Sequence, residues 1–277
     1  MSGLPRGRVL VVAGSDSGGG AGIQADIKAV MALGGYAATA ITALTAQNTV
    51  GVHGVLPVPP AFIRQQIDAV LDDIGADAVK TGMLGSAEAV QAVAAALGRR
   101  HRPPLVVDPV MVAKGGARLL DDSAVEALRR DLLPLATLLT PNVPEAEALT
   151  GLAIADRAAA RRAAQALLDL GAAAVLLKGG HLHGAAVQDI LATSAGLEVI
   201  ESPRIETRHT HGTGCTLASA VAAGLAQGMT LSDAVRRGVA YVHAAILAVP
   251  GFGAGHGPLG HGVTVDPARL AWTPARA

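Results

Sequence analysis

Two glycine-rich segments hold the residues whose types and spacing best suit chemistry. Residues 14–22 contain five glycines in nine positions, a density that lets the backbone approach a ligand closely. Residues 209–216 read His-Thr-His-Gly-Thr-Gly-Cys-Thr and lead into an Ala-rich helical pattern. Backbone N–H groups of Gly212, Thr213 and Gly214 at that helix start would form an anion-binding site.

Cys215 directly follows this Gly-Thr-Gly sequence and is the only cysteine of the chain. A thiol at the positive end of a helix has a lowered pKa, so the position predicts a candidate base. The alternative is an inert buried thiol, which is the usual state of a lone cysteine. No intrachain disulfide can form.

Four more polar residues follow buried strand patterns. Asp108 ends the apolar run 105–107, and Asn142 and Glu145 follow the run 138–139. Lys178 ends the run 174–177 and is suited to holding a phosphate. A buried Asp108 carboxylate needs a cation or hydrogen-bond donors. Glu145 at the first turn of a helix is equally well explained as a partner of the helix dipole.

Two familiar nucleotide motifs are not met. Gly20, Gly22 and Ala25 match a loose dinucleotide fingerprint, but no Asp or Glu occurs between Asp26 and Asp68 to bind a ribose. Lys80-Thr81 is preceded by Val79 instead of the glycine that a P-loop requires. The histidine pairs 181/183 and 209/211 fit no known metal-ligand spacing, and the interpretation is that they bind no metal.

The elements that must position these residues alternate between strand and helix. Strands are predicted at 9–12, 36–45, 76–80, 105–107, 138–139 and 174–178, with a hairpin around Ile190 and Val199. Helices are predicted between them, one of them opened by a Ser123/Glu126 capping box, and at 214–227 and 231–249. This alternation requires parallel strands with crossover helices, hence a layered α/β fold in one domain spanning 1–277, with peripheral ends at about 1–7 and 263–277.

Composition excludes several classes of protein. The chain has 277 residues, 51% hydrophobic and 16% charged, which excludes a disordered chain. Its 22 basic and 22 acidic residues balance, and only 2% are aromatic, so neither the charge nor the stacking surfaces of a nucleic-acid binder are present. No stretch reaches the ~18 continuous apolar residues of a membrane span. A soluble, cytoplasmic protein is expected.

Seven motifs, in order, resemble the hydroxymethylpyrimidine/phosphomethylpyrimidine kinases of thiamine biosynthesis, in the ribokinase-like superfamily. The likeness runs from about residue 8 to 262. The motifs lie at 13–26, 41–48, 80–84, 108–111, 140–145, 178–181 and 210–216. The resemblance implies a ribokinase-like three-layer sandwich, with a central, mostly parallel sheet flanked by helices. Ser17 stands where many relatives have Pro.

The resemblance also implies roles for single residues. Gln47 and Asp26 would hydrogen-bond an aminopyrimidine, in a pocket shaped by Gly14, Met83 and Val110. A carboxamide offers both a donor and an acceptor to such a ring.

The phosphate side follows from the same resemblance. Asp108, Asn142 and Glu145 would surround ATP and Mg²⁺, with the ion held through Asp108 and Glu145, partly by way of water. Lys178 would neutralise phosphate, and Thr207 would lie near the nucleotide.

Cys215 would accept the proton of the substrate hydroxymethyl group, and Gly212 to Gly214 would receive the migrating phosphoryl group. The implied reaction is ATP-dependent phosphorylation of 4-amino-5-hydroxymethyl-2-methylpyrimidine to its monophosphate and then its diphosphate, in a homodimer. The alternatives are a pyridoxal/pyridoxine kinase of the same family and a non-catalytic binding relative. Neither oligomeric state nor the placement of the Gly/His-rich residues 253–262 follows from the sequence.

Overall fold

The computed structural model describes residues 6–98, 103–111 and 120–266. The described strands form one sheet in the order β3-β2-β1-β4-β5-β6-β7-β8-β9. The strands are β1 (Arg8–Asp16), β2 (Tyr36–Gln47), β3 (Val52–Pro57), β4 (Ala78–Thr81), β5 (Leu105–Val107), β6 (Leu138–Leu139), β7 (Ala174–Leu177), β8 (Ala186–Thr193) and β9 (Gly196–Pro203).

Helices connect most of these strands and cover both faces of the sheet. They are α1 (Gly22–Ala32), α2 (Pro60–Asp73), α3 (Ala87–Gly98), α4 (Asp122–Ala127), α5 (Val143–Thr150), α6 (Arg157–Asp169), α7 (Thr213–Ala226) and α8 (Leu231–Leu247). A π-helical turn, Leu128–Leu132, follows α4, and single 3₁₀ turns lie at Leu133–Leu135, Gly179–His181 and His261–Thr264.

The sheet is buried on both faces, which explains why its central strands are short apolar runs. Along β1, Val9, Leu10, Val11 and Val12 are all fully buried. Leu10 and Val12 pack with α2 to α6, whereas Val9 and Val11 pack with α1, α7 and α8. The alternation of side chains along each strand therefore divides the interior into two cores, one on each side of the sheet.

Parallel pairing joins β2, β1, β4, β5, β6 and β7. The two edges are antiparallel, with β3 on β2 at one edge and β8 and β9 beyond β7 at the other. The predicted three-layer, mostly parallel architecture is confirmed. Because the six parallel strands run in one direction, the residues that follow them meet at a single rim of the sheet.

The structure corrects two local predictions. Helix α4 starts two residues earlier than a Ser123 cap would allow, because Asp121 is the N-cap and its Oδ1 accepts a hydrogen bond from Ala124 N at 2.8 Å. Strand β3 was not predicted, since all but one of its residues are exposed and it carries no buried apolar face to reveal it. None of the described helices has the length and apolarity that crossing a membrane requires.

Most of the two peripheral ends, and Trp272, lie outside the described residues. The one-domain organisation stays a prediction.

Candidate active site

A cavity of about 1150 Å³ opens at the carboxyl rim of the sheet. The sequence-predicted site residues that line it are Gly14, Gln47, Met83, Asp108, Val110, Asn142, Glu145, Lys178, Gly212, Thr213, Gly214 and Cys215. Asp26 and Thr207 are not among the lining residues. The two glycine-rich segments predicted from the sequence thus face one shared space.

The first glycine-rich segment is organised by Asp16, the last residue of β1. Its carboxylate accepts hydrogen bonds from the backbone N–H groups of Gly18 (2.8 Å), Gly20 (3.1 Å) and Ala21 (2.8 Å). Burial opposes ionisation of Asp16, but a hydrogen bond from His211 and these backbone donors outweigh it and lower its pKa. The turn is therefore held by its own carboxylate at the rim of the cavity.

The second glycine-rich segment starts α7, with Gly212 as the N-cap. Gly212 has a φ of +85°, and a Cβ there would overlap the carbonyl oxygen of Gly20. Only glycine fits this contact, which joins the start of α7 to the first segment. At Gly214, a Cβ would lie 3.1 Å from the Lys178 ammonium, so the N-terminal amides of α7 lie beside a cation.

Cys215 is half-buried at the cavity wall, where the backbone N–H of Gly22 hydrogen-bonds its sulfur. The expectation that the helix start lowers the thiol pKa of Cys215 is wrong. Desolvation raises the pKa of Cys215 to about 12, against the opposing charge of Lys80, and the carboxylates of Asp26 and Asp108 raise it further. At neutral pH the group is a thiol in the ligand-free protein.

Asp26 lies elsewhere than expected. It is fully buried on the inner face of α1, where both carboxylate oxygens lie 2.9 Å from the Lys80 ammonium and Oδ1 accepts a 2.7 Å hydrogen bond from Ser219. Its hydrogen-bonding capacity is taken up inside the protein, and it does not reach the cavity. In this structure Asp26 forms a buried ion pair with Lys80, and its contact with a ring stays a prediction.

A second ion pair lies at the cavity floor. Lys178 Nζ is 3.0 Å from Asp108 Oδ1 and 3.9 Å from Glu145 Oε2. Although burial opposes ionisation of Asp108, the charges of Lys178 and Lys80 hold its pKa below the ordinary value. Burial raises the pKa of Glu145 to about 7, against the attraction of Lys178. One ammonium thus lies between two carboxyl groups of different acidity.

Asn142 and Glu145 also close a capping box at the start of α5. Asn142 Oδ1 accepts from Glu145 N at 2.9 Å, and Glu145 Oε2 accepts from Asn142 N at 2.8 Å. The sequence left cap and function equally open, and the structure shows a cap whose two side chains also line the cavity. The cap fixes the position of the Glu145 carboxyl.

Another part of the cavity combines apolar walls with the Gln47 carboxamide. Gly14 allows a close approach of Met83, because a Cβ at Gly14 would lie 2.5 Å from the Met83 terminal methyl carbon. Gln47, the last residue of β2, lines the same region together with Val110. Its Nε2 lies 3.1 Å from His211 Nε2, a contact that the sequence analysis did not foresee.

His211 and Asp16 are site residues that sequence reasoning missed. His211 Nε2 is 2.8 Å from Asp16 Oδ2, and both side chains are buried in the cavity wall. Both residues lie inside the motifs at 13–26 and 210–216. Their position next to the glycines was the one feature of the sequence that indicated a role in the site. Nothing in the spacing revealed that residues 195 positions apart would meet.

Thr207 and the Gly/His-rich residues 253–262 lie in segments that flank the cavity. Thr207 Oγ1 accepts from His209 N at 3.1 Å and so stabilises a turn, whereas Thr210 lines the cavity. Of the Gly/His-rich segment, His256 N donates to Thr49 O at 2.8 Å, and Pro258 pairs with His211. This segment therefore packs beside the carboxamide end of the cavity.

Comparison with known proteins agrees with this geometry. The family model described as phosphomethylpyrimidine kinase matches residues 16–260. The chain belongs to this family. Among curated members of the phosphomethylpyrimidine kinase family, the hydroxymethylpyrimidine/phosphomethylpyrimidine kinase of Streptomyces coelicolor is 52% identical over 254 residues, covering 92% of this chain and 94% of that protein.

The thiamine biosynthesis bifunctional protein ThiED of Geobacter sulfurreducens is 56% identical over 266 residues, covering 96% of this chain. The chain spans about half of that relative, or 54% of its length.

Solved structures extend the likeness. Phosphomethylpyrimidine kinase of Clostridium difficile superposes with a TM-score of 0.77 and 43% identity, covering 86% of this chain and 99% of that one. Pyridoxal kinase of Staphylococcus aureus, in complex with AMP-PCP and pyridoxal, gives a TM-score of 0.86 at 34% identity, covering 94% of each chain. The fold of the phosphomethylpyrimidine kinase family is thus shared with kinases of a second ring alcohol.

Proposed function

We propose that this protein transfers a phosphoryl group from ATP to the hydroxymethyl group of 4-amino-5-hydroxymethyl-2-methylpyrimidine, and then phosphorylates the monophosphate to the diphosphate. Family membership and the names of its close relatives support this activity. The observation that carries the proposal is the shared cavity, which is lined both by the Gln47 carboxamide and by the start of α7 with Cys215.

In this proposal the ring lies at the Gln47 end. Gln47 hydrogen-bonds the aminopyrimidine edge, while Gly14, Met83 and Val110 form the apolar walls. A thioether adapts well to the face of a flat ring, and the absence of a Cβ at Gly14 leaves room for it. Asp26 contributes through its ion pair with Lys80.

The triphosphate lies over Asp108, Asn142, Glu145 and Lys178. Lys178 neutralises phosphate charge, since its pKa is raised by Asp108 and Glu145 despite burial, and it stays an ammonium. Phosphate oxygens replace carboxylates as its partners when ATP binds.

Mg²⁺ fits the same wall. The described residues contain no cluster of three metal-ligating side chains, but Mg²⁺ in kinases commonly uses one or two carboxylates with phosphate and water as the other ligands. Asp108 and Glu145 are two such buried carboxyl groups. When bound there, Mg²⁺ would supply positive charge next to the triphosphate.

The transfer itself is in-line and depends on positioning. The backbone N–H groups at residues 212–214 lie at the positive end of α7. They point at the migrating phosphoryl group and stabilise its developing charge. Cys215 accepts the proton of the attacking hydroxyl, which requires its thiolate. Of the charges acting on Cys215, Lys80 is the largest that favours that form.

The decisive experiment is ATP turnover by the purified protein with the pyrimidine alcohol, followed by chromatography of the products. We expect ADP formation that depends on the pyrimidine and yields first its monophosphate and then its diphosphate. Accumulation of the monophosphate alone after exhaustive turnover would contradict the second step. No pyrimidine-dependent turnover would contradict the activity and favour a non-catalytic binding protein.

A pyridoxal kinase is the second candidate, favoured by the 0.86 TM-score to the enzyme from Staphylococcus aureus. The two alcohols should be compared as competing substrates in one assay. We expect the kcat/KM for the pyrimidine to exceed that for pyridoxal. A homodimer and a cytoplasmic location stay predictions, the first tested by light scattering of the purified protein.

A further inference from the structure

His211 contacts two polar side chains at the carboxamide end of the cavity. Its Nε2 lies 2.8 Å from Asp16 Oδ2 and 3.1 Å from Gln47 Nε2. All three side chains line the cavity. A ring nitrogen carries either one hydrogen or one lone pair, so these two contacts constrain each other.

Asp16 decides which form of the imidazole is present. Three backbone N–H groups already point at its carboxylate, and its pKa is held below the ordinary value despite burial. Asp16 is therefore an ionised group that can only accept hydrogen bonds. The Nε2 of His211 must then carry a hydrogen and donate it to Asp16.

This hydrogen fixes the orientation of the Gln47 amide. If Nε2 of His211 is a donor, a Gln47 NH₂ group facing it would place two hydrogen-bond donors against each other. At the other end of the amide, Gln47 Oε1 lies 3.4 Å from Thr45 Oγ1, whose own hydrogen goes to Ser15 O at 2.9 Å. Exchanging oxygen and nitrogen, which occupy the same space, lets the Gln47 carbonyl share the Nε2 hydrogen that His211 donates to Asp16, and gives Thr45 Oγ1 a donor.

The imidazole is held tightly in this place. A Cβ at Gly20 would lie 2.5 Å from His211 Cδ2 and 3.2 Å from the Pro258 Cβ. The backbone N–H of His211 donates to Gly257 O at 3.2 Å and holds the main chain that carries the ring. The close packing of the ring against Gly20 and its contact with Asp16 together set the direction of the Nε2–H.

We propose that His211 and Asp16 form a positioning dyad that holds the Gln47 amide with its carbonyl toward His211, and that this orientation selects an aminopyrimidine over a pyridine alcohol. The inference rests on the proposed function and deepens it. His211 and Asp16 act on the ring through Gln47.

The chemistry of the two rings explains the selection. A 4-aminopyrimidine presents an amine donor directly beside a ring-nitrogen acceptor, and a carboxamide pairs with both in only one order. In pyridoxal the ring nitrogen and the phenolic oxygen are separated by a methyl-bearing carbon, so one carboxamide cannot pair with both. An amide held with its carbonyl and NH₂ groups in the matching positions favours the aminopyrimidine. A freely rotating amide presents both arrangements equally and no longer discriminates between the two rings.

The test compares three variants with the wild type. His211→Leu removes the donor, His211→Gln places an amide donor near the Nε2 position, and His209→Gln is the control, because His209 is in the same segment but outside the cavity lining. For His211→Leu we expect the KM for the pyrimidine alcohol to rise about tenfold or more, as for one lost hydrogen-bond partner. The kcat should change less, and the preference over pyridoxal should shrink.

His211→Gln should recover most of the affinity, and His209→Gln should resemble the wild type. Unchanged KM and unchanged preference in His211→Leu would overturn the inference. A fall in kcat at constant KM would also overturn it, because His211 would then act on the transfer itself.

A measurement on the unmodified protein covers the case in which His211→Leu does not fold. The ¹⁵N shifts of His211 should show a protonated Nε2 in the free protein at about pH 8, well above the usual histidine pKa. An unprotonated Nε2 would overturn the inference. The proposed function fails separately, by absence of pyrimidine-dependent turnover in the wild type.

Discussion

The Lys80 ammonium lies 2.9 Å from each carboxylate oxygen of Asp26, and neither side chain has any exposed surface. The pair joins β4 to α1, and Ser219 ties it to α7 one helical turn after Cys215. Three elements around the reacting end of the cavity are thus held by one buried charge pair. Its desolvation is compensated only while both partners are present.

Breaking this pair should destabilise the fold. Asp26→Asn leaves a buried ammonium without its counter-charge, and we expect the free energy of unfolding in urea to fall by about 3–5 kcal/mol. Ser219→Ala, which removes one hydrogen bond to Asp26, should cost about 1 kcal/mol. Replacing both charges, in Lys80→Met with Asp26→Leu, should recover much of the loss. Unchanged stability with a raised KM for the pyrimidine would instead restore Asp26 as a ring-binding residue.

Replacing Cys215 should slow turnover and leave substrate binding nearly unchanged. Cys215→Ala is expected to lower kcat by ~10²–10⁴-fold, the usual range for a lost general base. Since burial raises the pKa of the thiol to about 12, the thiolate fraction grows about tenfold per pH unit near neutrality. Wild-type kcat should rise with pH between about 7 and 9, and Cys215→Ala should lose this slope. Full activity in Cys215→Ala would contradict the base assignment.

Gly20→Ala should weaken binding of the pyrimidine, because the new methyl group would lie 2.5 Å from His211 Cδ2. Moving the imidazole disturbs Gln47. We therefore expect a several-fold rise in KM, measured by kinetics, and a matching rise in Kd, measured by titration calorimetry. Gly51→Ala is the matched control, since a Cβ there meets nothing within 4 Å. Equal binding by both variants would show that the ring position of His211 is unimportant.

His261 should make the fold sensitive to acid. Burial lowers the pKa of His261 to about 4 from its ordinary 6.5, and its Nε2 lies 2.9 Å from the buried Thr216 hydroxyl. Because the unfolded chain takes up this proton first, the stabilisation is complete above about pH 6.5 and is lost as the pH falls toward about 4.

His261→Gln keeps a polar partner for Thr216 without the titration. The difference in unfolding free energy between neutral and acid pH should therefore be smaller in the variant, by up to about 3 kcal/mol. Parallel curves for the two proteins would contradict the prediction.

The positions of particular residues show which parts of the candidate site could be predicted from the sequence. Twelve of the fourteen predicted site residues line one cavity, because each is close to the carboxyl end of a parallel strand or the start of a helix. Asp26 and Thr207 do not, because no periodicity indicates whether a polar side chain turns toward the cavity or away from it. Their roles, like those of the lining residues, stay proposals.

By itself the sequence determined the order of the buried strands and of most helices, because short buried runs and longer amphipathic stripes have different periods. It also placed a glycine at position 212, where a Cβ would overlap the carbonyl oxygen of Gly20. Only the tertiary structure decided that Asp26 pairs with Lys80, that burial keeps Cys215 protonated, and that His211 meets Asp16. Those outcomes depend on desolvation and on contacts between distant segments, which exist only after the chain has packed.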